Sequence, residues 1–313
     1  MNHTVKKLYA VLDIDHPMVA WEVAIGRILS VPIKDTNNVE YPTPSLWLYN
    51  NIATSVSGFS LSDFKSEIQI ETIRSTEFHN SPSRFSGAFF FETRDDAEKA
   101  CRMWEWESKI NYISEIDFYI EGGYLKLDSN WITNEIRSLS ASERTTAIRN
   151  YYNGMIYSKL EPLYEIICTG FGNVLNHDLR REAYKKIRDK YPKTSLLLAI
   201  AISCYEQDNV KYRELLRCSP YIYNNKDDDL LEGIFIIDKG YLDKNEEEVG
   251  KVSKRYILKN GTLLTATNIT RLGVPLKIFR PADKDILFSL GDFRPEFFTM
   301  KLSDFNEAIN SVV

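Results

Sequence analysis

Two short runs constrain the fold of this chain most: residues 87–91 (GAFFF) and 163–169 (LYEIICT). Each is apolar on both faces, and a strand of that kind must be covered on both sides. Helical periodicity elsewhere supplies candidate covers. Ser62 is placed to cap a helix running to about Arg74, with Phe64, Ile68 and Ile73 near its apolar side. Thr93 with Asp96, and Ser140 with Glu143, have the spacing of capping boxes. They predict helices running to about Ser108 and about Gly154, the first with Ala97, Ala100, Cys101 and Trp104 on one stripe. Residues 7–14 read as an opening strand stopped by Asp15-His16-Pro17, and residues 112–120 and 124–127 as a hairpin across Gly122-Gly123. Residues 30–60, rich in Pro, Ser, Asn and Thr, read as a long irregular segment anchored by Trp47, Tyr49 and Phe59.

After Gly172 the pattern becomes helical, from Asp178 to about Leu216, with a buried stretch at 196–202. Charged turns follow, then short strands at 256–258, 263–266 and 275–279. A chain of 313 residues is long enough for about two domains. The boundary is placed near 173–178, dividing 1–175 from 176–313.

Several function classes are disfavoured. A net charge of −5 does not suit a protein that coats DNA non-specifically, although a local basic patch can still grip a nucleic acid. The longest apolar run, 196–202, is far shorter than the roughly 20 residues of a membrane span. The N-terminus meets acids before an apolar leader forms, so no signal peptide is expected. Four cysteines without a CxxC are expected to be free thiols in a reducing, cytoplasmic setting. The four histidines are scattered, which gives no expectation of a metal. There is no phosphate-binding GxxxxGK[ST], and Gly170-Phe171-Gly172 lacks the third glycine of a dinucleotide fingerprint.

Two segments carry chemistry. Glu165 sits mid-strand, sharing a face with Leu163 and Ile167. A carboxylate so placed is paired, protonated or lining a cleft, unless the strand is an edge and its head reaches water. Arg84, in Ser81-Pro82-Ser83-Arg84-Phe85-Ser86, suits a diphosphate or a carboxylate, with Glu71 or Glu92 as alternative ion-pair partners.

The order PSRFSGAFFFET, a helix, LKLDSNW, YYNG and then PLYEIICTG resembles bacterial ADP-ribosyltransferase-like domains over roughly residues 6–172. These include toxins and phage-defence effectors. The resemblance implies an α+β protein whose N-terminal domain has two small antiparallel sheets gripping NAD, followed by a mixed, helix-rich C-terminal domain. It implies Glu165 as the catalytic acid, since cleavage of the nicotinamide–ribose bond develops oxocarbenium-like charge that a carboxylate stabilises. By the same resemblance Arg84 holds the NAD phosphates and Ser83 or Ser86 positions the ribose or Glu165. Tyr152 stacks on nicotinamide, or alternatively Tyr151 and Tyr152 pack a helix end onto the core. Tyr9 belongs to the first-strand motif, but Ala10 follows it where related sequences carry a basic residue or His.

Asp128 and Asn130 are expected either on the acceptor side of the cleft or in a turn that buries Trp131. Residues 180–193 hold seven Lys and Arg against two acids. This run, with Arg181, Lys185 and Arg188, is a solvated face or a track for RNA or DNA, with Tyr184 and Tyr191 able to stack on bases. The expected function is ADP-ribose transfer from NAD to a nucleic acid, with a protein acceptor as the alternative and a cognate inhibitor as a further expected partner. The rival is an interaction module that keeps the fold without turnover.

Overall fold

The computed structural model describes residues 4–34, 40–41, 43–50, 61–192, 195–225, 230–238, 240–259, 298–301, 303 and 306. Its elements run β1 (Thr4–Val11), α1 (Pro17–Ile25), β2 (Arg27–Leu29), β3 (Ile33–Lys34), β4 (Glu40–Tyr41), α2 (Leu61–Glu77), β5 (Ala88–Phe90) and α3 (Arg94–Met103). After a 3₁₀ stretch, Glu107–Tyr112, come β6 (Ile113–Asp128), a π turn and a 3₁₀ turn (Trp131–Glu135, Ile136–Ser138), α4 (Ala141–Tyr152), β7 (Tyr164–Val174) and α5 (His177–Lys190). The rest are α6 (Ser195–Gln207), β8 (Cys218–Asn225), β9 (Leu230–Ile237), α7 (Gly240–Lys244), α8 (Glu246–Lys259) and β10 (Phe298–Lys301).

The protein is α+β, with an antiparallel main sheet in the order β1-β6-β7-β2. β7 is its axis. One edge pairs with β6, Glu165 facing Leu127. The other edge pairs with β5 through residues 166–168 and with β2 through residues 171–173. β5 parts from β7 just short of Glu165. The next residue, Phe91, exchanges two backbone hydrogen bonds with Tyr9 of β1, at 2.7 and 2.8 Å. The path β1-β6-β7-β5 therefore returns on itself. A separate sheet has the order β10-β9-β8.

Alternation along β7 sends its side chains into different cores. Ile166 and Cys168 join Leu8, Phe90 and Phe118 beneath α1, α5 and α6. Ile167 points the other way, into a cluster with Ile70 and Ile73 of α2 and Ile148 and Tyr151 of α4. Leu163 packs with Ala97, Ala100 and Cys101 of α3. The doubly apolar runs are thus doubly covered, as the sequence predicts.

Of the two expected capping boxes, that of Ser140 and Glu143 forms, and Thr93 caps its helix without the reciprocal bond from Asp96. Thr93 accepts from the Asp96 amide at 3.1 Å, and Ser140 pairs reciprocally with Glu143. The α3 helix stops at Met103, short of Ser108, and the chain turns through Glu105 at φ 59°. β1 also ends early, and Pro17, read as a strand stop, takes the first turn of α1. There it forgoes an amide that would have had no helical partner.

The hairpin across Gly122-Gly123 does not form. Residues 113–128 are one strand, and both halves pair with β7 through a register shift between Ile120 and Tyr124. The glycines serve a bulge rather than a turn: a Cβ on Gly123 would lie 2.7 Å from Pro82 Cδ. Residues 256–258, read as a strand, lie in α8, whose first turn carries Glu246, Glu247 and Glu248 at the positive end of the helix dipole. Phe59 and the strands read at 263–266 and 275–279 lie outside the described residues.

The expected boundary near 173–178 falls between β7 and α5, and the largest buried cluster runs across it without a break, from Leu8 to Val249. Buried polar contacts cross it too. Trp21 Nε1 donates to the Leu216 carbonyl at 2.9 Å. Arg27, fully buried, pairs with Glu22 and donates to the carbonyls of Arg213 and Leu215 at 2.7 and 2.9 Å. Glu22 in turn accepts from the Cys218 amide at 2.6 Å.

Candidate functional site

Glu165 and Arg84, singled out separately from the sequence, are in contact. Arg84 Nη1 donates to Glu165 Oε1 at 2.8 Å and to the Tyr151 hydroxyl at 2.9 Å, while that hydroxyl donates to the same Oε1 at 2.6 Å. Arg84 Nε donates to Glu67 Oε2 at 3.2 Å. The guanidinium also lies 4.8 Å from the Trp47 ring and 5.0 Å from the Phe89 ring. One buried cation thus joins two carboxylates and sits against aromatic faces.

Four elements assemble this cluster. β7 aims Glu165 toward the α2 and α4 side, the last turn of α4 carries Tyr151, and α2 delivers Glu67. The turn before β5 holds Arg84, with Gly87 N donating to Ser83 O at 2.7 Å. Glu67 is fully buried, and burial pushes its carboxyl above the usual range against the pull of Arg84 and Arg137. Its Oε1 has no hydrogen-bond partner, and Arg137 stands 3.8 Å away. Burial drives the Tyr151 phenol well up, with Arg84 opposing, so the hydroxyl stays neutral and able to donate.

Among the described residues nothing donates to Glu165 Oε2 or accepts from Arg84 Nη2, and both side chains are largely buried. One acceptor and one donor of the cluster are therefore uncommitted among the described residues.

The other sequence candidates lie in different settings. Ser83 donates to Glu71 at 2.8 Å and accepts from the Phe85 amide at 3.0 Å, so its hydroxyl braces the turn. Ser86 lines a cavity beneath β5. The Tyr152 ring stacks on Phe78 at 5.2 Å and meets Tyr151 edge-on; only 5% of the residue is exposed, leaving no free face for nicotinamide. Tyr9 donates to Glu115 at 3.1 Å on β6. Asp128 accepts from the backbone amides of Asn130, Tyr157 and Leu163 at 2.9–3.1 Å, which commits both its oxygens to loop structure. Asn130 links Glu161 O to Asn134 in the same way.

Residues 180–190 of the basic run lie in α5, whose Leu179, Ala183 and Ile187 pack beneath the sheet in the cluster that holds Ile166 and Cys168. It thus lies across the sheet from Glu165. Lys185 is exposed, whereas Arg181 pairs with Asp178 at 3.2 Å and Arg188 with Asp189 at 2.8 Å. Tyr191 is 6% exposed and cannot stack on bases, because its ring belongs to the core.

Glu67, Tyr151 and Trp47 complete the cluster; the sequence reading took Trp47 as a loop anchor and Tyr151 as core packing, and did not pick out Glu67. Glu67 had a signal: it shares a helical stripe with Phe64, Ile68 and Glu71, a charge set among apolar neighbours.

Residues 47–187 match a family model described as a protein of unknown function (DUF2441). That span contains Glu67, Arg84, Tyr151 and Glu165. No curated protein matches the chain. No helix among the described residues is long and apolar enough to cross a membrane.

Proposed function

We propose that the chain transfers ADP-ribose from NAD to a macromolecular acceptor, with Glu165 as the carboxylate that faces the reacting ribose. The observation carrying this reading is Glu165 Oε2, to which no described residue donates, while the other oxygen is fixed by Arg84 and Tyr151. A carboxylate held in one rotamer by two donors is preorganised to stabilise positive charge developing on the sugar. Arg84 Nη2 is that guanidinium's remaining donor for a phosphate oxygen.

The acceptor class does not follow from the basic run, because α5 lies on the opposite face of the sheet. Incubation of the full chain with labelled NAD and cell extract decides it. Label removed by nuclease assigns a nucleic acid, and label removed by protease assigns a protein. No transfer and no nicotinamide release, with pure chain or extract, contradict the proposal.

One observation favours a non-catalytic interaction module. Arg84 is already matched by Glu67 and Glu165, so the cluster is complete as a structural ion network. Such a module would release no nicotinamide.

A further inference from the structure

A half-open cavity of about 210 Å³ runs along β5, walled by both halves of the chain and reaching Trp47 and Phe89, the rings that face Arg84. Ala10, Leu12, Met18, Leu46 and Phe90 supply apolar walls, and Arg217, Cys218 and Ser219 enter from the segment leading into β8. Pockets between two parts of a chain are common ligand sites.

Two arginines line it, and they differ. Arg27 is committed to Glu22 and to backbone carbonyls. Glu22 is committed in return to Arg27 and the Cys218 amide. Arg217 is 2% exposed; it donates to Glu214 at 3.2 Å and to Thr43 Oγ1 at 3.3 Å, and Thr43 lines the same cavity. The Glu214 side chain is 36% exposed, so it can turn into water and hand its place to another carboxylate at little cost. Arg217 is the lining cation whose partner is replaceable.

Size and charge then limit the ligand. An apolar cavity of about 150 Å³ accepts benzene, so this one takes a six-membered ring bearing a small substituent. A single guanidinium among apolar walls matches one carboxylate in a bidentate pair. A phosphate dianion would leave half its charge uncompensated in a largely apolar site.

We infer that this cavity binds a small ring monocarboxylate, with its acid on Arg217 and its ring among Leu12, Met18 and Phe90. The inference is independent of ADP-ribosyl transfer.

Met18 lines the cavity, whereas Met103 and Met155 are exposed, so methyl-labelled methionine gives a local NMR signal with internal controls. Titration of the full chain with millimolar benzoate should shift the Met18 methyl saturably and leave Met103 and Met155 unmoved. Benzamide and inorganic phosphate should bind at least about tenfold more weakly, a loss of about 1.4 kcal/mol. Arg217→Gln should remove the preference for benzoate, and Glu165→Gln should leave it intact. Where Arg217→Gln does not fold, Ala88→Leu fills the cavity from β5 and should abolish the Met18 response. A Met18 signal unmoved by benzoate, or moved equally by benzamide or phosphate, overturns the inference. So does a folded variant of either kind that responds as the parent does.

Discussion

Arg84 Nη1 stands 2.8 Å from Glu165 Oε1, and this contact ties the turn before β5 to the strand that forms the axis of the main sheet. Both residues are buried, and Glu67 closes the network on the other side of the guanidinium. The relationship has consequences for stability as well as for chemistry.

Removing the cation leaves two buried carboxylates without it. Arg84→Met should destabilise the fold by about 3–5 kcal/mol at neutral pH, measured by urea unfolding. The deficit should shrink as pH falls. Without Arg84 the folded-state carboxyl of Glu67, already raised by burial, rises further. A raised carboxyl stabilises the folded state below its unfolded pKa, and that contribution is lost as pH climbs through the folded value. An equal deficit at pH 5 and pH 8 would show that packing, not charge, sets the cost.

Sequence patterning made the sheet and its covering helices legible because strands 87–91 and 163–169 are apolar on both faces and Thr93 and Ser140 are strong caps. It missed the course of β6 for a physical reason. Two adjacent glycines between alternating segments fit a tight turn and a bulge equally well, and only the distant strand β7 decides between them. The candidate site was half legible. Glu165 and Arg84 stand out as charges in apolar runs, but their contact joins residues 81 positions apart. Tyr152 was read where Tyr151 makes the polar contacts, because one step along a helix end rotates a ring from Glu165 toward Phe78.

Asp15 links the start of α1 to the 3₁₀ stretch and to α5 through Lys109 and Lys186. These hydrogen bonds hold its carboxyl well below the usual range. A depressed carboxyl contributes stability above its unfolded pKa, and that is lost as pH falls through the folded value. The side chain is half exposed, so solvent screening limits the gain. Asp15→Asn should cost no more than about 1 kcal/mol at pH 7. The difference from the parent should narrow below the usual aspartate pKa of about 3.9. A gap that widens in acid would contradict the assignment.

All four cysteines are free and buried. Burial pushes the Cys204 thiol up to about 12, so almost none is thiolate at neutral pH. Ellman's reagent should leave the folded chain unlabelled and titrate four thiols after denaturation. Rapid labelling of any native thiol would contradict this packing.

The chemistry stands on Glu165. The measurement that decides it is nicotinamide release and ADP-ribose transfer by Glu165→Gln beside the parent chain, with circular dichroism and NAD affinity taken on both. Gln keeps the shape and can still accept from Arg84, but it lacks the charge. The variant should fold, bind NAD as the parent does, and transfer at least about 10²-fold more slowly, the scale of losing a preorganised charge stabiliser. A folded Glu165→Gln chain that transfers ADP-ribose at the parent's rate would contradict the proposal.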